Sequence, residues 1–380
     1  MKQFLYNLSL VAFMLLCSCT EAETSLGTGH EGEGDNTEEG VPLSVKSLGL
    51  SVEVETRSIV TGAPPVTTPG NPNPLQSVGL FVTQDKNGVM YTYDGNYRQV
   101  FKYNAAAVPA AAWEPDLDFY PILYLFSEKG TVYAYSPSEK SVSLTTVDGV
   151  KAPYMGGIAV KDKQSFIFSD GGTGAPADVA TDVQWEIDGQ EDYLYGKGAD
   201  IVDRWNPQVS LTMHHALAKV SFRIIEANSG GALSDTYVTS VVLKGTGAFK
   251  KSTGAKLNLE TGELSGTLTP VDQLTFVSSG DLRKVATNVT DNADAPVQAF
   301  GLVLPVEATG VTLEFTDDTK RVFTMEPKAD GSPKTFDIKW EKGKNYIYNI
   351  KIQPQGIVIT DLQVEDWGAG NGTGEDIPVE

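Results

Sequence analysis

Two cysteines near the amino terminus are the residues whose position most clearly predicts a chemical modification. They are the 2 cysteines of the chain, and they follow a mostly apolar stretch, residues 4–16, that is too short to cross a bilayer as a helix. The basic Lys2 before the stretch and the polar residues after it are typical of an export signal. Leu16, Cys17 and Ser18 before Cys19 match a bacterial lipobox, which predicts a lipoprotein signal peptide at residues 1–18 and acylation of the Cys19 thiol. An ordinary signal peptide cleaved nearby is the alternative.

A protease-sensitive junction is predicted around Arg57. Before this residue, apolar side chains alternate with small or polar ones, which is the pattern of a half-buried strand. The apolar residues are Leu48, Leu50, Val52 and Val54. Ser58 and a proline-rich stretch, residues 64–74, follow. An accessible arginine between a strand and such a loop is a site that proteases can cut, whereas an ordinary first strand with a surface arginine is the other interpretation.

Few residues of the chain could take part in catalysis or bind a metal ion. The chain has 3 histidines, and its sequence contains no HExxH, GxSxG, Walker-type or CxxC motif. His214 and His215 are adjacent, so on a strand their side chains would face opposite sides and pack rather than bind a metal. We therefore predict no enzyme activity, no cofactor and no metal site. The 5 tryptophans are widely scattered, and we interpret them as packing residues rather than as a glycan platform.

Composition predicts an exported protein that does not bind nucleic acid. The formal net charge is −20, from 29 Lys and Arg against 49 Asp and Glu, and a surface of this sign repels phosphate backbones. Residues 20–42 are acidic and glycine-rich with few large apolar groups, which predicts a flexible tether. Because no cysteine follows Cys19, stability must come from burial and not from an intrachain disulfide.

The rest of the sequence has the pattern of an all-β protein. From residue 78 onward, short segments rich in Val, Ile, Thr, Tyr and Phe are separated by turn residues. Helical periodicity is scarce, and residues 212–220 and 281–287 are expected to form short helical turns at most. The strand spacing predicts β-sandwiches, and the length fits two of them. We place one at residues 58–207 and one at 208–380, after a tether and first strand at 19–57.

Another strand-like run lies near the carboxyl terminus. It covers residues 356–367 and is followed by a glycine-rich, acidic tail. A strand at a chain end can pair within its own sheet or with the exposed edge of another subunit.

Several segments together resemble the fimbrillins, the type V pilins of Gram-negative anaerobes, and especially their fimbrillin-like lipoprotein branch. The resemblance covers most of the chain after the signal peptide, although the proline-rich stretch is longer than the usual link at that point. The segments that carry it are residues 56–58, 60–62, 77–81, 132–137, 193–196, 215–220 and 342–346, with Trp367.

This resemblance implies a fold and an assembly pathway. The fold would be two tandem transthyretin-like β-sandwich domains with Greek-key-like strands. The precursor would be held at the outer membrane by the lipid on Cys19, and an arginine-specific protease would cut between Arg57 and Ser58 to remove the first strand. The uncovered groove would then bind a donor strand from another copy or a related pilin subunit. The donor candidates are Ile357, Ile359, Leu362, Val364 and Trp367.

Two functions remain open at this point. The first is a structural pilin subunit of a surface fimbria that supports adhesion or biofilm formation, as a stalk or an anchor subunit. The alternative is a monomeric outer-membrane surface lipoprotein with glycan-binding β-sandwich domains, which would keep its lipid and use an exposed Trp or Tyr to bind sugar.

Overall fold

The computed structural model describes residues 39–50, 75–85, 88–91, 97–107, 112–118, 120–169, 184–226, 233, 235–280, 282–287, 295–367 and 375–377. Throughout these residues the chain forms strands, turns and loops, so the predicted all-β class is confirmed. A search of the same residues for a helix that could cross a membrane finds none.

The strands of the described residues fall into an earlier and a later group along the chain. The earlier group is β1 (Val41–Pro42), β2 (Ser44–Leu50), β3 (Ser77–Gln84), β4 (Arg98–Asn104), β5 (Ala112–Pro115), β6 (Tyr124–Leu125), β7 (Gly130–Ser136), β8 (Val142–Val147), β9 (Val150–Val160), β10 (Lys163–Ser169), β11 (Gln184–Asp188), β12 (Leu194–Gly198) and β13 (Gln208–His215). The later group is β14 (Ala218–Glu226), β15 (Tyr237–Asn258), β16 (Leu264–Ser265), β17 (Leu268–Ser278), β18 (Arg283–Lys284), β19 (Ala299–Val303), β20 (Val306–Asp317), β21 (Val322–Thr324), β22 (Phe336–Trp340), β23 (Lys344–Gln353), β24 (Gly356–Asp366) and β25 (Glu375–Ile377).

A seven-stranded sheet contains most of the early strands, in the order β2-β13-β12-β7-β3-β4-β5. Both of its faces are covered at β3, which is buried along nearly its whole length, whereas β13 alternates buried residues with exposed or partly exposed ones. Leu80 and Val82 of that strand belong to a smaller hydrophobic core, whereas Phe81, between them, belongs to a larger one. Because successive side chains of a strand point to opposite faces of the sheet, β3 contributes residues to both cores.

The later strands, together with β8–β11 of the earlier group, form a sandwich of two sheets. A large sheet has the order β11-β10-β17-β15-β20-β21, with β8, β9, β16, β18 and β22 paired alongside. A five-stranded sheet, β19-β14-β23-β24-β25, packs against it. Aromatic rings fill the space between them, and the ring centroids of Phe222 and Phe276 lie 5.7 Å apart. The ring of Phe276 can lie against β19 because Gly301 has no Cβ, which would come within 2.0 Å of that ring.

The predicted domain boundary at residues 207 and 208 falls at the first residue of β13. That strand lies in the seven-stranded sheet with the earlier strands. Strands β8–β11, which precede the boundary, lie in the large sheet with β15 and β17, which follow it. The division into two tandem domains stays a prediction.

Neither of the two stretches in which the sequence allowed a short helical turn forms one in the described residues. The sequence predicts at most a helical turn in residues 212–220, but these residues lie in β13, β14 and the short link between them. The second stretch, residues 281–287, contains strand β18, which pairs with β15 at Tyr237 and Val238. In both places pairing with distant strands decides the backbone conformation, and such pairing does not depend on local propensity.

Candidate functional site

Strand β2, which contains Leu48 and Leu50 of the predicted removable strand, lies at an edge of the seven-stranded sheet. Within the described residues it pairs with β13 alone, in the parallel direction, from Ser44 opposite Gln208 to Leu50 opposite Met213. Leu48 is 7% exposed and belongs to the smaller core, and Leu50 packs against that core. One row of backbone hydrogen bonds and a few apolar side chains therefore hold this strand in place.

Strand β2 begins at Ser44, before the Leu48 start that the sequence predicts. A β-bulge between the two residues interrupts the alternation of apolar and polar side chains. Val209 pairs with Val45 and Ser210 pairs with Ser47, so Lys46 is an extra residue that shifts the register. Because of this shift, odd-numbered Val45 and even-numbered Leu48 both pack against the smaller core. The sequence pattern alone reveals only the part after the bulge.

The segment just before β2 also covers core residues. Leu43 is 1% exposed and donates its backbone N–H to the carbonyl oxygen of Leu123 at 2.9 Å. The neighbouring β1 pairs antiparallel with β6. Removal of everything before Ser58 would therefore uncover the edge of β13 and the apolar surface beneath Leu43 and Leu48.

The predicted donor residues lie in and just after β24. This strand pairs along its whole length with β23 and, at Leu362–Val364, with β25. Ile357, Ile359 and Trp367 are buried, whereas Leu362 and Val364 are partly buried against the larger core.

A second bulge sets which β24 residues face that core. Asn349 pairs with Asp361 and Ile350 pairs with Ile359, so Thr360 is the extra residue. Its hydroxyl donates to the carbonyl oxygen of Asn349 at 3.2 Å. The apolar residues of β24 that pack against the larger core are therefore odd-numbered before Thr360, at Ile357 and Ile359, and even-numbered after it, at Leu362 and Val364. The predicted donor residues within the strand change in the same way.

A buried cluster at the end of β24 involves His215, Asp192 and Trp367. The His215 Nδ1 atom lies 2.9 Å from Asp192 Oδ2, and their side chains are 2% and 1% exposed. The His215 ring stacks on the Trp367 indole, with centroids 4.0 Å apart and planes 7° apart. The backbone N–H of Trp367 donates to the carbonyl oxygen of Gly343 at 2.7 Å. The end of β24 is thus fixed to the last residue of β13, in the seven-stranded sheet.

The histidine pair behaves as predicted in one respect and not in another. His215 is packed, and His214 lies on the other side of the strand, near the Tyr195 ring. Burial lowers the pKa of His214, and the nearby His215 and Lys342 lower it further. The carboxylate partner of His215 was missed, because Asp192 is 23 residues away in the sequence. Across the described ranges, no group of three or more His, Cys, Asp and Glu could hold a metal ion.

Other predicted site residues lie outside the described residues. They are Cys19, Val52, Val54, Arg57 and Ser58. Acylation at Cys19 and cleavage after Arg57 stay predictions.

The tryptophans are mostly packing residues, with one exception. Trp340 and Trp367 are buried, and Trp113 packs at the border of the smaller core. The Trp205 side chain, however, is 68% exposed. The side chain of Trp185 lies outside the part that the structure describes.

Comparison with solved structures gives matches along most of the chain. A candidate cell adhesion protein from Bacteroides ovatus has 16% identity and a TM-score of 0.50, with 88% of this chain and 100% of that chain covered. A fimbrial protein from Bacteroides vulgatus has 13% identity, a TM-score of 0.42 and coverage of 76% and 92%. A fimbrial assembly protein from Parabacteroides distasonis has 12% identity, a TM-score of 0.39 and coverage of 90% and 100%. None of the curated proteins matches this chain in sequence.

Stacked sheets with aromatic residues between them define a β-sandwich protein. The particular family follows from a family model, described as fimbrillin-like, that matches residues 73–367. The chain belongs to the fimbrillin-like family, as the sequence resemblance predicted. This membership supports a role in a cell-surface fimbria or in adhesion, and the family is one of structural fimbrial proteins rather than of enzymes.

Proposed function

We propose that this chain is a structural subunit of a cell-surface fimbria, made as a lipoprotein precursor and polymerised by donor-strand exchange. In this scheme the lipid on Cys19 holds the precursor at the outer membrane. Cleavage after Arg57 by an arginine-specific protease then releases the tether together with β2. The observation that carries the proposal is the position of β2 at a sheet edge, paired with β13 alone among the described strands.

The energetics of this scheme are consistent with an exchange of strands. Removal of the first strand exposes unpaired backbone groups along β13 and apolar surface beneath Leu43 and Leu48. Each of those side chains contributes about 1.5–3 kcal/mol by its burial. A strand from another copy, drawn from the region of residues 357–367, would restore both kinds of contact by β-augmentation. Because such an interface joins different surfaces of identical chains, it can repeat and build a filament.

The donor role has an energetic cost in the precursor. Ile357, Ile359 and Trp367 are buried in the subunit's own core, so their release exposes apolar surface before the new interface forms. Exchange should therefore be slow until cleavage opens a groove that compensates for this loss.

Cleavage-site mutation tests the proposed function. We expect Arg57→Ala to leave a monomeric precursor that still carries its Cys19 lipid after protease treatment, because β2 then stays on β13. Mass spectrometry of surface protein should find an amino terminus at Ser58 in the wild type and not in the variant. Lys151→Ala, which removes an exposed basic residue of β9, is the control and should still yield the Ser58 terminus. Wild-type surface protein that retains Cys19 and never polymerises would contradict the proposal and favour the monomeric glycan-binding lipoprotein.

A further inference from the structure

One tryptophan of the chain is held in an exposed position by a rigid turn. The turn spans residues 203–206 and is organised by Asp203, a residue that is 6% exposed. Asp203 Oδ1 accepts hydrogen bonds from the backbone N–H groups of Trp205, at 3.0 Å, and Asn206, at 2.8 Å. The Asn206 side-chain amide donates to the same oxygen. The Trp205 indole is thus presented to solvent on a preorganised backbone rather than on a loose loop.

Two other exposed apolar residues belong to segments that adjoin this turn or are hydrogen-bonded to it. Arg204 donates its backbone N–H to the carbonyl oxygen of Phe126, two residues after Tyr124, which is 44% exposed. Ile201, 45% exposed, directly precedes Val202, which exchanges backbone hydrogen bonds with Gly130. We call Tyr124, Ile201 and Trp205 the Trp205 patch. Exposed aromatic and aliphatic side chains on hydrogen-bonded neighbouring segments are characteristic of protein interfaces.

The Trp205 patch lies at one end of the edge that β2 covers. Pro207, two residues after Trp205, accepts a hydrogen bond from the backbone N–H of Ser44, the first residue of β2. The opposite end of that edge, at Met213, leads directly into His215 and its stack on Trp367. At that end Trp367, the residue after β24 of the five-stranded sheet, contacts His215, whereas exposed apolar residues adjoin the Pro207 end.

We propose that the Trp205 patch docks the folded body of a second copy of this chain, whose donated strand enters at Gln208 and runs parallel to β13. This inference rests on the proposed function. It adds the direction in which the donor strand runs and the surface against which the donor subunit docks. A strand donated from near the carboxyl terminus is preceded in its chain by the folded body of the donor. If the strand takes the parallel direction of β2, that body lies at the Gln208 end, beside Trp205. The antiparallel direction would bring the donor body to the Met213 end, where the acceptor's own sheet lies.

Truncation of the tryptophan tests the docking surface. We expect Trp205→Ala to be cleaved after Arg57 as the wild type is, but to polymerise about 30-fold more slowly, as the loss of an interface hot spot predicts. Trp205→Phe should restore most of the rate. Val322→Ala, which shortens an exposed residue of β21, is the matched control and should polymerise normally. The melting temperature of each precursor checks that the variant is folded.

Oxidative footprinting of the unmodified chain gives a second test that needs no variant. Trp205 should be oxidised by hydroxyl radicals in the precursor and protected at least several-fold in the polymer. If Trp205 reacts equally in both, the docking proposal is overturned while the fimbrial function stands. Processed wild-type protein that forms no polymer overturns both. A Trp205→Ala variant that polymerises normally but no longer binds a surface polysaccharide overturns the docking proposal in favour of a glycan site.

Engineered cysteines test the direction of the strand. Because both native cysteines precede the cleavage site, a processed subunit has no other thiol, and the pair Gln208→Cys and Gln355→Cys should form intermolecular disulfides in the polymer, since the start of a parallel donor strand lies near Gln208. The pair Gln208→Cys and Asp366→Cys places the second thiol at the other end of the donor candidates and should remain reduced. Cross-linking by the second pair alone would establish the antiparallel direction and overturn the inference.

Discussion

At the scale of single residues, the end of β24 is held by a small set of buried contacts. The His215 ring contributes both to a pairing with Asp192 and to a stack on Trp367. Trp367 in turn hydrogen-bonds Gly343, whose own N–H donates to the carbonyl oxygen of Leu217. Because these groups are buried, each lost contact leaves a polar or aromatic surface that water cannot easily compensate.

Loss of the His215 imidazole should therefore destabilise the folded precursor. We expect His215→Ala to lower the free energy of unfolding by about 2–4 kcal/mol, because it removes a buried partner of Asp192 and leaves a cavity beside Trp367. Urea denaturation of the precursor measures this change. The adjacent His214→Ala, on the opposite side of β13, is the control and should cost less than about 1 kcal/mol. Equal losses in the two variants would show that the cluster does not stabilise the fold.

At the scale of elements, the two strands central to the proposal differ in how they are held. β2 pairs with one neighbour in the described structure, whereas β24 pairs with β23 along its full length and with β25. Both contain a bulge that changes which residues face the core, at Lys46 and at Thr360. Since a one-residue shift moves a strand's apolar side chains to the other face, each bulge specifies the register of its strand.

Deletion of Lys46 should loosen β2 without unfolding the protein. Without the extra residue, either Val45 or the pair Leu48 and Leu50 must turn away from the smaller core, at a cost of about 2 kcal/mol. We expect faster hydrogen exchange along β13 and faster cleavage after Arg57, with little change in β14 and β23. Lys46→Ala keeps the register and should behave as the wild type. Unchanged exchange along β13 in the deletion variant would argue against a role for the bulge.

At the scale of the whole molecule, charge opposes the association of identical copies. The chain has a formal net charge of −20, of which −6 (3 Lys and Arg against 9 Asp and Glu) lies before Ser58. Processed copies would therefore still carry −14 and repel each other as they approach in water of low ionic strength. Short-range contacts at a groove or an apolar patch must overcome this repulsion. The acidic surface also favours solubility of the precursor before it is processed.

Added salt should therefore speed assembly. We expect an increase from about 10 mM to about 300 mM sodium chloride to raise the polymerisation rate of processed subunits several-fold, because the ions screen like charges over shorter distances. Light scattering after cleavage measures the rate. Gel analysis of the cleavage itself, at the same salt concentrations, separates an effect on the protease from one on association. A rate that falls with salt would indicate attraction between complementary charged surfaces.

The sequence by itself determined the all-β class and the fimbrillin-like family, and it located the two apolar alternations. These features are local, because alternation and turn residues are read along one segment. Tertiary structure alone revealed the parallel pairing of β2 with β13, the Asp192 partner of His215 and the exposure of Trp205. It also showed that β8–β11 join the large sheet across the predicted boundary. These features depend on which distant segments meet when the chain closes its loops, and that choice is made by the packing of the whole core.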